Sequence, residues 1–247
     1  DRWLKSPTLK ANGQLIERNK GLPQGGVISC VLVNLFMHYA FDLWVDRNLQ
    51  VPFCRYSDDG LLHCKSLEEA KEVLLKVTKR FEEVGLQIHT EKSGIVFCKG
   101  NGRYGDFPRV SFDFLGYQFK PRMCRNRYTG KVFLNFLPGV SRTSLTSMRR
   151  KVKSWKLFKR TPMSLQDLAT KLNPIISGWI EYYGKFNKTS MQPLWLFINR
   201  HLSKWARWKW KKLKGKKTRS FYVLGKIAKT NGCLFSHWAA GYCPSVG

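Results

Sequence analysis

Residues 51–64 read VPFCRYSDDGLLHC, and the fold turns on how this stretch is read. Val51–Tyr56 and Leu61–Cys64 have the length and apolar character of two strands. Between them Ser57-Asp58-Asp59-Gly60 reads as a tight turn, so two adjacent carboxylates stand at the tip of an apolar hairpin. Like charges side by side repel, and a divalent cation relieves that cost. Paired Asp oxygens suit Mg²⁺, which keeps waters and substrate phosphates as its other ligands. Asp-Asp-Gly is also an ordinary solvent-exposed turn, so the pair by itself leaves a metal site and a plain loop both open.

Upstream, Asn12-Gly13 between two short segments signals another hairpin. Gly21-Leu22-Pro23-Gln24-Gly25-Gly26 then leads into a helix on which Ile28, Val31, Leu32, Leu35, Tyr39 and Leu43 recur at three- and four-residue steps. Paired glycines let a backbone approach a base pair or phosphate, and helix amides favour an anion; Pro and Gly before a helix are also common punctuation. Gly21 to Phe41 is uncharged over 21 residues, long enough to raise a membrane span. The polar residues inside it favour a buried core helix with a polar leader. Downstream, Ser66-x-x-Glu69 opens an amphipathic helix that Gly85 ends. Short strands are expected around Leu86–Ile88, Ile95–Cys98 and Phe112–Phe119, and a hairpin around Tyr128-Thr129-Gly130. The pattern to residue 140 is α+β, a small antiparallel sheet backed by two helices.

Beyond residue 140 the strand signals stop. Helices are expected over 141–158, from Ser164-x-x-Asp167 to Gly184 with an interruption at Pro174, and over Thr218–Lys229. Another runs over Met191–Leu213 with Leu194, Ile198, Leu202 and Trp205 on one face. The charge changes at the same place. Residues 1–140 hold 21 Lys/Arg against 14 Asp/Glu, and residues 141–247 hold 23 against 2, so the second region carries +21 of the net +28. Such an excess attracts a polyanion, with nucleic acid ahead of an acidic membrane surface. Lys204, Arg207, Lys209, Lys211 and Lys212 interleave with Trp208 and Trp210, a mixture in which rings stack on unpaired bases and lysines meet phosphates. Trp195 and Trp205 read as core. Arg149, Arg150, Lys151 and Lys153 form a second basic cluster, a solvated face or an RNA contact. Seven cysteines, odd in number and without C-x-x-C, fit a reducing compartment and no disulfide framework. Cys233, His237 and Cys243 offer three zinc ligands with no evident fourth.

Taken in order, these segments resemble a group II intron reverse transcriptase/maturase. Pro23-Gln24-Gly25 is similar to the family's template- and nucleotide-contacting segment, and Tyr56-Ser57-Asp58-Asp59 to its metal-binding hairpin. Gly85-Leu86-Gln87-Ile88-His89 with Lys92 is similar to the next loop, and Phe114-Leu115-Gly116-Tyr117 to the primer-grip hairpin. The wider GLPQGGVIS and SFDFLGYQF contexts resemble group II intron enzymes more than retroviral ones. Pro174, GWIEYYGKF and RHLSKWARWKWKK resemble the maturase thumb, or domain X.

The resemblance implies a partial palm over 1–140, an all-α basic thumb over 141–247, and template-directed nucleotidyl transfer with two Mg²⁺ ions. It implies that Asp58 and Asp59 bind metal, that Tyr56 lies under the primer terminus and that Lys92 stabilises or protonates pyrophosphate. Pro23, Gln24 and Gly25 would contact the nascent pair, and Phe114, Leu115 and Gly116 the primer. The partners so implied are structured intron RNA, an RNA template, a DNA primer and dNTPs. The setting is a cytoplasmic, bacterial-type ribonucleoprotein without a membrane, as a homodimer or with a complementing N-terminal chain. The family's first catalytic aspartate lies upstream of the P-Q-G segment, and Arg2-Trp3-Leu4-Lys5 resembles the stretch after it. The expectation is therefore half an active site, lacking the fingers and that aspartate, with the chain inactive by itself. Ser57 stands where Ala is more usual and Cys30 where Pro is usual. Two other functions stay open: a non-catalytic RNA-binding maturase remnant, and a reverse transcriptase recruited to defence, against which the maturase-like thumb argues.

Overall fold

The computed structural model describes residues 6–17, 21–22 and 25–244. The chain divides into two compact units, Asp1–Ile95 and Val96–Gly247. In the first, β1 (Thr8–Leu9) and β2 (Leu15–Ile16) pair antiparallel around Gly13, whose φ of +79° is the left-handed residue the turn needs. α1 (Ser29–Met37) runs through a π-helical turn (His38–Asp42) into α2 (Leu43–Asn48). β3 (Phe53–Tyr56) and β4 (Asp59–Leu62) form the hairpin expected from residues 51–64. α3 (Leu67–Glu83) starts at Ser66, whose hydroxyl accepts the Glu69 amide at 3.1 Å; the Glu69 carboxylate returns to the Lys65 amide and not to that of Ser66. It ends in a Schellman motif, with the Gly85 amide donating to the Glu82 carbonyl and the Leu86 amide to that of Phe81. The core of this unit is Met37, Phe41, Val45, Val51, Val73 and Val77, and the Phe41 ring meets those of Phe53 and Phe81, each at 5.7 Å.

The helix after Gly26 does not bury the stripe that its period marks out. Val31, Leu35 and Tyr39 are exposed, while Met37, Ala40, Phe41 and Val45 are buried. Periodicity identifies an apolar stripe without saying which side meets the core. The π turn, closed by the Leu43 amide on the His38 carbonyl, adds a residue and shifts the phase of everything after it. Among the described residues no helix is long and apolar enough to cross a membrane.

In the second unit β5 (Phe112–Phe114), β6 (Tyr117–Arg125) and β7 (Val132–Val140) make an antiparallel sheet in that order, with Tyr117 opposite Val140 and Arg125 opposite Val132. Phe112 and Phe119 stack across strands at 4.9 Å. The strand expected over 112–119 is thus a hairpin. No strand forms at 86–88 or 95–98, where the chain finds no neighbouring edge to pair with along its length. Five helices follow: α4 (Arg142–Ser154), α5 (Leu165–Tyr183), α6 (Gln192–Lys209), α7 (Lys217–Thr230) and α8 (Ser236–Ala239). Leu194, Ile198, Leu202 and Trp205 are fully buried along one face of α6, as their spacing predicts.

α5 opens with a complete Ser164–Asp167 capping box and continues unbroken through Pro174, contrary to the expected interruption. Proline there removes one helical hydrogen bond and crowds the turn before it, at about 3 kcal/mol. Leu168, Ala169, Leu172 and Ile176, buried on either side, offset that cost at roughly 1.5–3 kcal/mol for each large side chain. Residue 140 is where the last strand meets the first of these helices. The compact units part earlier, so the three-stranded sheet folds with the basic helices.

Candidate functional site

The carboxylate hairpin turns more tightly than its sequence suggests. Ser57 and Asp58 are its two turn residues, and Asp59 already pairs opposite Tyr56 in β4. Ser57 has φ +56°, the left-handed first position of a II′-type hairpin, which costs a side-chain-bearing residue about 1–2 kcal/mol. Arg55 holds that turn from beneath. Its Nε and Nη2 donate to Asp42 Oδ1 and Oδ2 at 2.6 Å each, and its Nη1 donates to Asn34 Oδ1 at 3.0 Å and to the Ser57 carbonyl at 2.9 Å. The Arg55 side chain is 10% exposed and that of Asp42 21%. Hydrogen bonding to Arg55 lowers the Asp42 carboxyl from its ordinary value, and the same bonds raise the guanidinium. The π turn is braced from the other side by Arg80 Nε, which donates to the Ala40 carbonyl at 3.0 Å. Sequence reasoning missed Arg55 and Asp42. The available signal was a pair of lone charges set in otherwise apolar segments.

Asp58 and Asp59 are exposed, and among the described residues their carboxylates have no hydrogen-bond or ion-pair partner. Exposed carboxylate oxygens so placed suit a hard cation. Among the described residues no third His, Cys, Asp or Glu joins them. Tyr56 is exposed beside Asp59, and Lys92 sits exposed in a turn whose amide bonds the His89 carbonyl. Gly25 has φ +82° and open space around it, so backbone conformation and not crowding calls for glycine. Pro23, Gln24 and Arg2–Lys5 lie outside the described residues.

The second motif hairpin turns at Leu115 (φ +50°) and Gly116 (φ +78°), both left-handed as a type I′ turn requires. Tyr182 Oη donates to the Leu115 carbonyl at 2.9 Å. The Gly116 carbonyl accepts from Ser144 Oγ at 3.0 Å and from the Ser141 amide at 2.9 Å. The Tyr117 hydroxyl donates to the Tyr182 carbonyl, and its ring packs on Tyr182, Tyr183 and Phe186. Burial, then the neighbouring Tyr182 and Tyr183, raise the Tyr117 phenol from its ordinary value. Two segments that are far apart in the sequence, 114–117 and 182–186, thus form one cluster, with Phe114, Leu115 and Gly116 half-buried in it.

The basic residues divide by what their heads do. Lys153 of α4 and Lys204 of α6, together with Lys156, Leu157, Phe158 and His201, line a cavity of about 230 Å³. Arg150, Lys151, Lys211 and Lys212 are exposed, and Trp208 is 63% exposed. Trp210 instead lies edge-on to Trp205 at 5.5 Å. Lys209 turns inward, its ammonium donating to the Thr161 and Met163 carbonyls at 2.9 Å each. Arg149 lies over the Phe197 ring at 5.9 Å, and Arg207 Nε bonds its own helix at the Ser203 carbonyl. His237 is buried with Nε2 2.9 Å from Asn199 Oδ1, and it does not converge with Cys233 and Cys243 into a ligand set.

A family model described as reverse transcriptase (RNA-dependent DNA polymerase) matches residues 1–119, a span that includes both motif hairpins. A model of the group II intron maturase-specific domain matches residues 145–222, from α4 into α7. The chain belongs to the group II intron reverse transcriptase/maturase family. A comparison with curated proteins found no match. In this reverse transcriptase/maturase the polymerase match runs past the first compact unit, and its last residues, including the 114–117 hairpin, fold with the maturase helices. Phe235, His237 and Trp238 lie beyond both matches and are still buried in the same unit as the matched helices.

Proposed function

We propose that this reverse transcriptase/maturase synthesises DNA on an RNA template at the β3–β4 hairpin and grips RNA through its basic helices. The polymerase reading is carried by one observation: two exposed carboxylates, without a partner among the described residues, stand at the tip of a hairpin whose backbone Arg55 holds. In this reading Asp58 and Asp59 would hold Mg²⁺ together with a further carboxylate that the described residues do not bring to the hairpin. The metal supplies Lewis-acid stabilisation of the attacking and leaving oxygens. Tyr56 offers its ring to the last primer nucleotide, and Lys92 neutralises charge on the pyrophosphate. Pro23, Gln24 and Gly25 contact the nascent pair, while the Leu115-Gly116 turn steers the primer. Residues 1–140 act as palm and 141–247 as thumb, within a cytoplasmic ribonucleoprotein whose other parts are intron RNA, template, DNA primer and dNTPs.

The test is primer extension on an RNA template with Mg²⁺ and dNTPs, with and without a second polypeptide that supplies the further carboxylate. The chain by itself is expected to give no product. In the supplemented reaction Asp58→Ala lowers the rate by orders of magnitude, because losing a metal ligand removes several kcal/mol of transition-state stabilisation. An Asp58→Ala protein within about tenfold of the parent (about 1.4 kcal/mol) removes this hairpin from the mechanism. Among the described residues no third ligand joins the pair, and the basic helices support a second reading, an RNA-binding maturase without polymerisation. It is distinguished by RNA binding that survives Asp58→Ala while no condition yields extension.

A further inference from the structure

We infer that the cavity between α4 and α6 is a binding site for one backbone phosphate of single-stranded RNA; this rests on reading the helical unit as RNA-binding. Its walls are Lys153 from α4, Lys156 to Phe158 from the turn that follows, and His201 and Lys204 from α6. Three lysines and a histidine line about 230 Å³, and no acidic residue lines the space to balance them. That is below the volume of a typical small-molecule pocket and suits a compact anion. The Lys204 ammonium stands 5.2 Å from the centroid of the Phe158 ring, a cation–π contact that holds the charge beside another residue of the cavity wall. His201 Nδ1 lies 2.9 Å from the Phe197 carbonyl, so Nδ1–H donates there, and Nε2 donates to a phosphate only in the imidazolium form.

The backbone adds an independent sign. Lys156 has φ +46°, a left-handed conformation that costs an L-residue about 1–2 kcal/mol. It reverses the chain after α4, so that Leu157 is buried and Phe158, next to it, stays 39% exposed in the cavity wall. Strain of this kind persists where the surroundings over-determine it, and here it sets two lysines and an aromatic ring around one space. Extended RNA fits better than a small anion because of what lies next along α6. Trp208, one turn beyond Lys204 and 63% exposed, offers a stacking face to a base of a strand whose phosphate sits among the lysines.

The experiment measures binding of a single-stranded oligoribonucleotide to the full chain over a range of salt. Lys153→Gln/Lys156→Gln/Lys204→Gln is compared with Lys171→Gln/Lys217→Gln/Lys229→Gln, which removes equal charge from exposed sites outside the cavity. The cavity variant is expected to lose about tenfold in affinity and to flatten the salt slope by about 0.7, the release for one phosphate; the control loses far less. Phe158→Leu keeps the apolar contact without the ring and costs about twofold to fivefold. In parallel, the His201 imidazole resonance shifts on adding the RNA or inorganic phosphate, and does so only in proteins with the cavity lysines. If both triple variants weaken binding equally and His201 does not respond, the lysines act as a diffuse field; the cavity is then no site, although RNA binding stands. If His201 answers inorganic phosphate while no RNA binds, the RNA assignment is overturned. If neither probe has any effect, the RNA-binding reading falls as well.

Discussion

Arg55 reaches four oxygens with one guanidinium: both of Asp42, the amide oxygen of Asn34, and the Ser57 carbonyl. The pair is more than three-quarters buried, so removing one partner leaves the other charge or its hydrogen bonds unmet. A double-mutant cycle with Asp42→Asn and Arg55→Gln, followed by chemical denaturation, is expected to give a coupling of about 1–3 kcal/mol. Additive losses would show that the two act separately. Because the folded Asp42 carboxyl is lowered, this contribution is complete above the ordinary carboxylate range and is lost progressively as pH falls from that range through the folded value. The two acids that the hairpin displays were legible in the sequence, since a repelling pair between apolar strands asks for an explanation. The clamp beneath them was not, because nothing in residues 42 and 55 alone says that a π turn brings them together.

Elements show the same division. Caps and turns were legible because their chemistry is local: Ser66 with Glu69, Ser164 with Asp167, Gly85 after α3, and Gly13 and Gly130 at φ +79° and +68°. Which face of α1 meets the core was not legible, and neither was the passage of α5 through Pro174. Both are decided by packing partners that lie elsewhere in the chain. The 112–119 segment was expected as a strand, yet Leu115-Gly116 forms a I′ turn whose carbonyls are taken by Tyr182, Ser144 and Ser141. That docking makes Gly116 sensitive. A Cβ there would stand 2.8 Å from Tyr183 Oη and 3.0 Å from Ser144 Oγ, at φ +78°. Gly116→Ala is expected to lower stability by about 2–4 kcal/mol, from left-handed strain and the displaced hydroxyls together. Thermal unfolding checks it: a midpoint equal to that of the parent would mean that the turn is not held as described.

Across the whole chain, charge and core are arranged oppositely. The region that carries +21 is also the one with the larger buried cluster, so its helices display cations outward over a core of Trp195, Trp205, Phe235 and Trp238. One ionisable side chain sits inside that core, and it makes stability depend on pH. Trp238 Nε1 can only donate, which identifies the Asn199 atom 2.9 Å away as its oxygen. The same oxygen lies 2.9 Å from His237 Nε2, so Nε2 carries the hydrogen and Nδ1 is bare, buried and without a partner. Burial pushes the imidazole down to about 3 from an ordinary 6.5. Between those values the unfolded chain takes up a proton that the folded chain refuses. Stability is therefore full above pH 6.5 and falls as the solution is acidified towards pH 3, by about 1.4 kcal/mol per unit. His237→Gln keeps a donor for Asn199 and cannot titrate. Urea melts of the two proteins are expected to differ increasingly in the parent's disfavour from about pH 6.5 to about pH 5, reaching roughly 2 kcal/mol relative to their difference at neutral pH. Parallel decline of parent and variant over that interval would mean that His237 takes up its proton in the folded core, and that the empty face of its Nδ1 is wet.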